Sequence, residues 1–230
     1  MKITVLHGQS HKGSTYNIMK LFLNKIKDTN TEINEFYFIK NDACIGCFKC
    51  FMQGEEHCPH YSKVHPIIEA IEEADLVIIE SPCYCMGMSG QLKSFLDHMG
   101  YLWVPHRPNK KMFKKVGLTI STTAGLGAKK VTKDIAQHMF YFGIPSIYKY
   151  GVNVGASSWE EVSENKRLTI EKKVEKMAAK IQKKIKKVEP SLKTKIMFYI
   201  MRMNQKNNTW NEIDKKYWEK HGWLKKQRPW

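Results

Sequence analysis

No stretch of this sequence approaches the roughly 20 consecutive apolar residues that a membrane-spanning helix needs. Its first residues contain no basic segment, apolar stretch and cleavage site of the kind that makes a signal peptide, so a cytoplasmic location is expected. Structural disulfides are then not expected, and the six cysteines call for another use. Acidic residues are scarce, with 22 Asp and Glu against 38 Lys and Arg. Internal repeats and low-complexity segments are absent as well.

What is present suits a folded protein. Of 230 residues, 42% are hydrophobic and 11% aromatic, enough for a sizeable core. The net charge of +16 is uneven. Residues 160–230 hold 20 Lys and Arg against nine Asp and Glu, a net +11. A lysine-rich solvated helix is the commoner source of such charge, so nucleic acid is not expected as a partner.

Strand and helix patterns alternate along the chain. Lys2 to Leu6 reads as a buried strand, and Ile18, Leu21, Phe22 and Ile26 recur at helical spacing. Further strands are expected at Ile33 to Ile39, Asp75 to Glu80, Val116 to Ser121 and Ser146 to Gly151. Between them lie a cysteine-bearing loop from Asp42 to about Ser62 and helices around 64–71, 89–99 and 129–142. A long helix is expected from Ser158 to Val188, with Ile170, Val174, Met177, Ala178 and Ile181 on one stripe. Five such alternations imply an α/β fold with a parallel sheet and right-handed crossovers. The expected division is a domain over 1–189 and a basic, Trp-rich extension over 190–230.

In an open parallel sheet, ligands sit beyond the carboxyl ends of the strands. The loops 8–15, 81–88 and 122–127 all leave such ends, and each opens a helix. The first, from Gly8 to Thr15, offers backbone N–H groups and hydroxyls at a helix N-terminus, which suits a phosphate. Gly8 and Gly13 have the spacing of half a Walker A loop, but Ser14 stands where its lysine must be. No G-x-G-x-x-G occurs, and no acid closes strand two at Phe38-Ile39-Lys40. A single terminal phosphate fits best, as in a mononucleotide such as FMN. A module that binds a nucleotide phosphate for regulation is the alternative outside enzymology.

The opening loop, Ser81-Pro82-Cys83-Tyr84, the run Met88 to Asp97 and Thr122-Thr123-Ala124-Gly125 together resemble the NAD(P)H-dependent FMN reductases of the flavodoxin-like superfold, in particular the branch with iron-sulfur flavoproteins. The resemblance spans roughly residues 1–185. It implies a three-layer sandwich with sheet order 2-1-3-4-5, FMN as the redox group, NAD(P)H as co-substrate, and homodimers or homotetramers. It also implies that Ser10, Lys12, Gly13, Ser14 and Thr15 hold the phosphate. Pro82, Cys83, Tyr84, Cys85 and Met86 would line one edge of the flavin ring, and Thr122, Thr123, Ala124 and Gly125 another. The flavin does the chemistry, so no catalytic side chain is expected. The acceptor would be a quinone, nitroaromatic, free flavin or protein. A carrier that passes electrons between a ferredoxin-like donor and FMN is the alternative.

Cys44, Cys47, Cys50 and Cys58 spell C-x2-C-x2-C-x7-C-P. A thiolate every third residue can wrap three corners of a cubane, with a fourth ligand after a gap. The cluster resembles the [4Fe–4S] motif of iron-sulfur flavoproteins. Reduced structural or redox thiols, and a four-thiolate zinc site, remain open beside it. His98, Trp103 and His106 are expected near the flavin pocket. In the extension, Ile196, Met197, Ile200, Met203, Trp210, Ile213, Tyr217, Trp218 and Trp223 alternate with basic residues. Such tryptophan density favours buried packing on the domain or on a partner copy; contact with an anionic membrane surface, or with another macromolecule, is the alternative.

Overall fold

The computed structural model describes residues 1–38 and 43–230. The expected end of strand two at Ile39, the Lys40 after it, and the start of the cysteine loop at Asp42 lie outside the described residues. Five strands run β1 (Lys2–His7), β2 (Glu32–Tyr37), β3 (Leu76–Glu80), β4 (Val116–Thr123) and β5 (Ser146–Asn153). All neighbours are parallel, in the order β2-β1-β3-β4-β5. The helices are α1 (Ser14–Ile26), the short α2 (Lys49–Met52), α3 (Tyr61–Glu73), α4 (Gly90–His98), α5 (Ala128–Tyr141), α6 (Glu164–Ile185), α7 (Leu192–Lys206) and α8 (Glu212–Lys220).

Side chains alternate across a strand, so the near-continuous apolar runs of β1, β3 and β4 feed both faces of the sheet. Val5, Ile78 and Leu118 point to one side, where Ile18 and Phe22 of α1 and Ile170, Val174 and Ile181 of α6 cover them. Leu6, Val77 and Ile79 point to the other, under Ile68 of α3, Leu92 and Phe95 of α4 and Val131 and Ile135 of α5. This is the expected three-layer flavodoxin-like sandwich.

Several boundaries differ from the sequence reading: β1 runs one residue further, to His7, and the long helix ends at Ile185 rather than Val188. β4 and β5 each run two residues further, because Thr122 pairs with Val152 and Thr123 with Asn153. The last long helix begins at Glu164 rather than Ser158; residues before it form a loop, and Ser163 takes the N-cap position.

The extension builds a third apolar cluster on the body. Phe198 of α7, Trp218 of α8 and Trp223 close over Val104 and Phe113. Phe198 stacks on Trp218 with 5.0 Å between ring centroids and meets Phe113 edge-on at 6.1 Å. Met197, Trp218 and Trp223 are buried as expected, but Ile196, Ile200, Met203 and Trp210 are exposed. Both faces of α7 are apolar, and periodicity alone does not say which one turns inward.

Phe198→Ala should lower unfolding free energy by about 3–5 kcal/mol, the usual cost of emptying a fully buried aromatic site. Urea unfolding followed by circular dichroism measures it.

Candidate functional site

The loops after β1 and β3 are tied together at Gly8. Its N–H donates to the Glu80 carbonyl at 2.8 Å, and its own carbonyl accepts from the Ser89 hydroxyl. Ser89 N–H in turn donates to Ser81 Oγ at 2.9 Å. A Cβ on residue 8 would lie 2.8 Å from the Glu80 carbonyl oxygen and 2.9 Å from Ser89 Oγ, so only glycine permits this approach. The β4 end joins through Cys83 N–H donating to the Thr122 carbonyl at 2.9 Å, and through a 2.6 Å hydrogen bond between the Thr15 and Thr122 hydroxyls.

A cavity of about 160 Å³ opens over this junction. From the three expected loops it takes Gly13, Ser14 and Thr15, then Pro82, Cys83 and Tyr84, then Thr122, Thr123 and Ala124. Ser10, Lys12, Cys85, Met86 and Gly125 stand outside its lining. Cys85 and Met86 occupy the exposed tip of a tight turn closed by two 2.9 Å backbone hydrogen bonds between Tyr84 and Gly87. Both have positive φ, 48° and 64°, which is uncommon for residues with side chains.

Gln9, His11, Val154, Ala156 and Ser157 also line the cavity and were not anticipated. The run Gly155-Ala156-Ser157-Ser158 after β5 has the small-residue signature of the other loops and could have flagged two of them, Ala156 and Ser157. The N-terminus of α1 faces this space with no side-chain cap. Gln9 Oε1 is buried without a hydrogen-bond partner.

Under Gly8 lies a buried polar chain. His7 Nδ1 meets Glu80 Oε1 at 2.9 Å, His7 Nε2 meets Glu35 Oε2 at 2.9 Å, and Lys20 Nζ meets Glu35 Oε1 at 2.8 Å. Tyr37 stacks on the His7 ring at 4.1 Å. Burial raises the Glu80 pKa above its ordinary value, and the His7 hydrogen bond only opposes this. Burial would raise Glu35 too, but the Lys20 and His7 contacts outweigh it and lower the pKa. Glu80 is thus engaged with His7 and does not line the cavity.

The cysteines lie in a separate place. Cys44, Cys47, Cys50 and Cys58 line one apolar cavity of about 110 Å³ with Phe48, Phe51, His60 and His98. Burial, followed by the neighbouring Cys58, Cys44 and Cys47, pushes the Cys50 thiol up to about 11. Cys58 Sγ is 3.9 Å from His98 Nδ1. Among the described residues, no three or more His, Cys, Asp or Glu side chains are gathered as around a single metal ion. His98 therefore belongs to the cysteine cavity; His106 pairs with Asp214 and Trp103 stacks on Tyr141, so none of the three edges the loop cavity.

Sequence comparison agrees with this arrangement. The profile of the NADPH-dependent FMN reductases matches residues 1–158, from β1 through the loop after β5. This chain belongs to that family. An iron-sulfur flavoprotein of Archaeoglobus fulgidus is 30% identical over 130 residues, which is 55% of this chain and 56% of that one. The match thus takes in little more than half of that relative. Another iron-sulfur flavoprotein, of Methanocaldococcus jannaschii, is 30% identical over 145 residues, 61% of this chain and 72% of that one. Among solved structures, an azoreductase from Bacillus anthracis superposes with a TM-score of 0.61 at 14% identity, covering 78% of this chain and 99% of that one, a likeness of fold.

In this FMN reductase family member, α6, α7 and α8 lie beyond the matched residues, yet α8 reaches the cysteine loop. Buried Arg107 donates to the Cys50 and Phe51 carbonyls and pairs with Asp214 at 2.5 Å. Asn211 Nδ2 donates to the Phe51 carbonyl at 3.0 Å, and His106 Nδ1 meets Asp214 at 2.7 Å. Removing one partner of a buried ion pair strands the other's charge.

Two outcomes follow from these charges. Asp214→Ala should cost about 3–5 kcal/mol of stability and speed the reaction of Cys50 with a thiol reagent, read by chemical unfolding and by thiol titration. A carboxyl raised in the folded state holds its proton more tightly there than when unfolded, so its stabilising contribution is present at low pH and lost as pH rises above 4.5. Unfolding of Glu80→Gln beside the parent should show the difference moving in favour of Gln as pH is raised from 4.5.

Proposed function

We propose that this chain is an FMN-dependent NAD(P)H oxidoreductase whose acceptor is a quinone, nitroaromatic, flavin or protein. The carrying observation is the convergence of loops 8–15, 81–88 and 122–127 on one cavity against the uncapped N-terminus of α1. The residues present suit the cofactor. First-turn N–H groups and the Ser14 and Thr15 hydroxyls are donors for a phosphate dianion, and the helix dipole favours its charge. Gln9 Oε1 is an acceptor left open for an N–H donor. Pro82, Cys83, Tyr84, Thr122, Thr123 and Ala124 give the walls for a flat ring, and Ser10, Lys12, Cys85, Met86 and Gly125 serve at its margin. FMN, when bound, supplies hydride acceptance from NAD(P)H and electron release to the acceptor. The chain's own part is to bind, orient and leave one face open.

The reading includes a cytoplasmic homodimer or homotetramer, with residues 1–189 as the FMN-binding domain and 190–230 as an extension. A second reading adds [4Fe–4S] at Cys44, Cys47, Cys50 and Cys58 and makes the protein an electron carrier. It is favoured by the shared cavity of the four thiols and by the names of the two archaeal relatives. Thiolates on one wrapped loop are the donor set such a cluster takes.

Protein purified without oxygen should show two visible flavin bands; a colourless protein that takes up no added FMN would sink the proposal. A broad absorbance that bleaches with dithionite, with iron and sulfide by analysis, would establish the cluster. Ser14→Asp places a carboxylate against the phosphate and should weaken FMN by about 10- to 100-fold while leaving riboflavin affinity nearly unchanged, both read by quenching of flavin fluorescence.

A further inference from the structure

α7 carries a second apolar face that the described residues leave largely exposed, with only Tyr199 met by Arg228, which donates to its hydroxyl at 2.9 Å, by Arg202 and by Trp230. Leu192, Ile196, Tyr199, Ile200 and Met203 fall at i, i+4, i+7, i+8 and i+11, one stripe along the helix. Leu192 is 75% exposed, Met203 67%, and Ile196 and Ile200 50% each. The opposite face is fixed to the body by Phe198 and by Gln205 Nε2 donating to the Pro105 carbonyl at 2.5 Å. Ser191 caps the helix, its Oγ accepting from Thr194 N–H at 3.2 Å. The stripe is therefore held outward.

The charges on the helix itself are of one sign. From Pro190 to Asn211 there is no Asp or Glu, while Lys193, Lys195, Arg202 and Lys206 are basic. Arg202 is engaged inward with the Gln227 carbonyl at 2.9 Å. Helical projection sets Lys193, whose ammonium lies 4.5 Å from the Phe140 ring centroid, on one border of the stripe and Lys195 and Lys206 on the other. Lys183, Lys184, Lys186 and Lys187 precede the helix in sequence, with Glu189 paired to Lys187 at 3.8 Å. Trp210, 60% exposed, follows it.

We propose that this face of α7 docks on an anionic lipid surface, with the stripe entering the acyl boundary and the bordering lysines among the headgroups. Apolar residues between lysines, with an exposed tryptophan, are what such an interface selects. A second copy of the chain fits less well: a two-fold contact through this face would set its lysine borders against each other with no acid on the helix to neutralise them. Nucleic acid fits less well because Leu192, Ile196, Ile200 and Met203, the bulk of the stripe, are aliphatic, and phosphates are bound by cations and N–H donors. The inference rests on α7 alone and does not depend on the flavin reading.

The full-length protein is sedimented with vesicles of phosphatidylcholine mixed with phosphatidylglycerol, and with vesicles of phosphatidylcholine alone. Pelleting with the mixed vesicles only, weakened by added salt, is the expected result. Ile196→Glu combined with Ile200→Glu should reduce the bound fraction by about tenfold or more. Both positions are half exposed, and an unchanged circular dichroism spectrum confirms the fold of this variant. Protein that stays in the supernatant with both vesicles, equal pelleting with neutral lipid, or a double variant that pellets like the parent overturns the proposal. A change of oligomeric mass in the variant, without vesicle binding by the parent, also overturns it and assigns the face to contact between copies.

Discussion

The absent side chain at Gly8 sets how closely two loops of this protein can meet. The β1 loop lies on the Glu80 carbonyl and on the Ser89 hydroxyl at distances that leave no room for a methyl group. Ser89 also caps α4, its Oγ accepting from the Leu92 N–H. One small residue thus couples a strand end, a neighbouring loop and the start of a helix. The cavity over α1 inherits its shape from that junction. Thr15 and Thr122 extend the tie to the β4 end, so the site is braced across three adjacent strands.

Much of this was legible in the chain. Buried strands declare themselves by β-branched runs such as Leu76 to Ile79, and small-residue loops after them mark where a parallel sheet holds a ligand. Strand ends were less legible, because Thr122 and Thr123 become strand only through their partners on β5. The wall supplied by Val154, Ala156 and Ser157 was overlooked for a related reason: its place depends on how far β5 extends. In α7 the apolar residues lie on both faces, and the choice between Phe198 and Ile200 was made by Phe113 and Val104, which are far away in sequence. Local pattern records what a segment prefers, whereas these choices belong to its neighbours.

Buried charge is used here to hold backbone as much as to pair with opposite charge. Arg107 spends its planar donors on two carbonyls of the cysteine loop and on Asp214, and Lys115 caps the carbonyls of Glu72 and Ala74 at the end of α3. Burial pulls the Lys115 pKa down to about 8, which the neighbouring carboxylates only partly oppose. Groups that are costly to bury are placed where several acceptors converge, and the loops they hold gain a fixed path.

The bond between Arg107 and Asp214 joins residues 107 positions apart. A ribosome completes β1 through β5 before Asn211 and Asp214 have been made, and elongation proceeds at about 5–20 residues per second. The sheet and its loop cavity can therefore form while the cysteine loop still lacks two of its anchors. Asn211 and Asp214, at the start of α8, join that loop only afterwards. The order of synthesis gives the protein an early site and a late one.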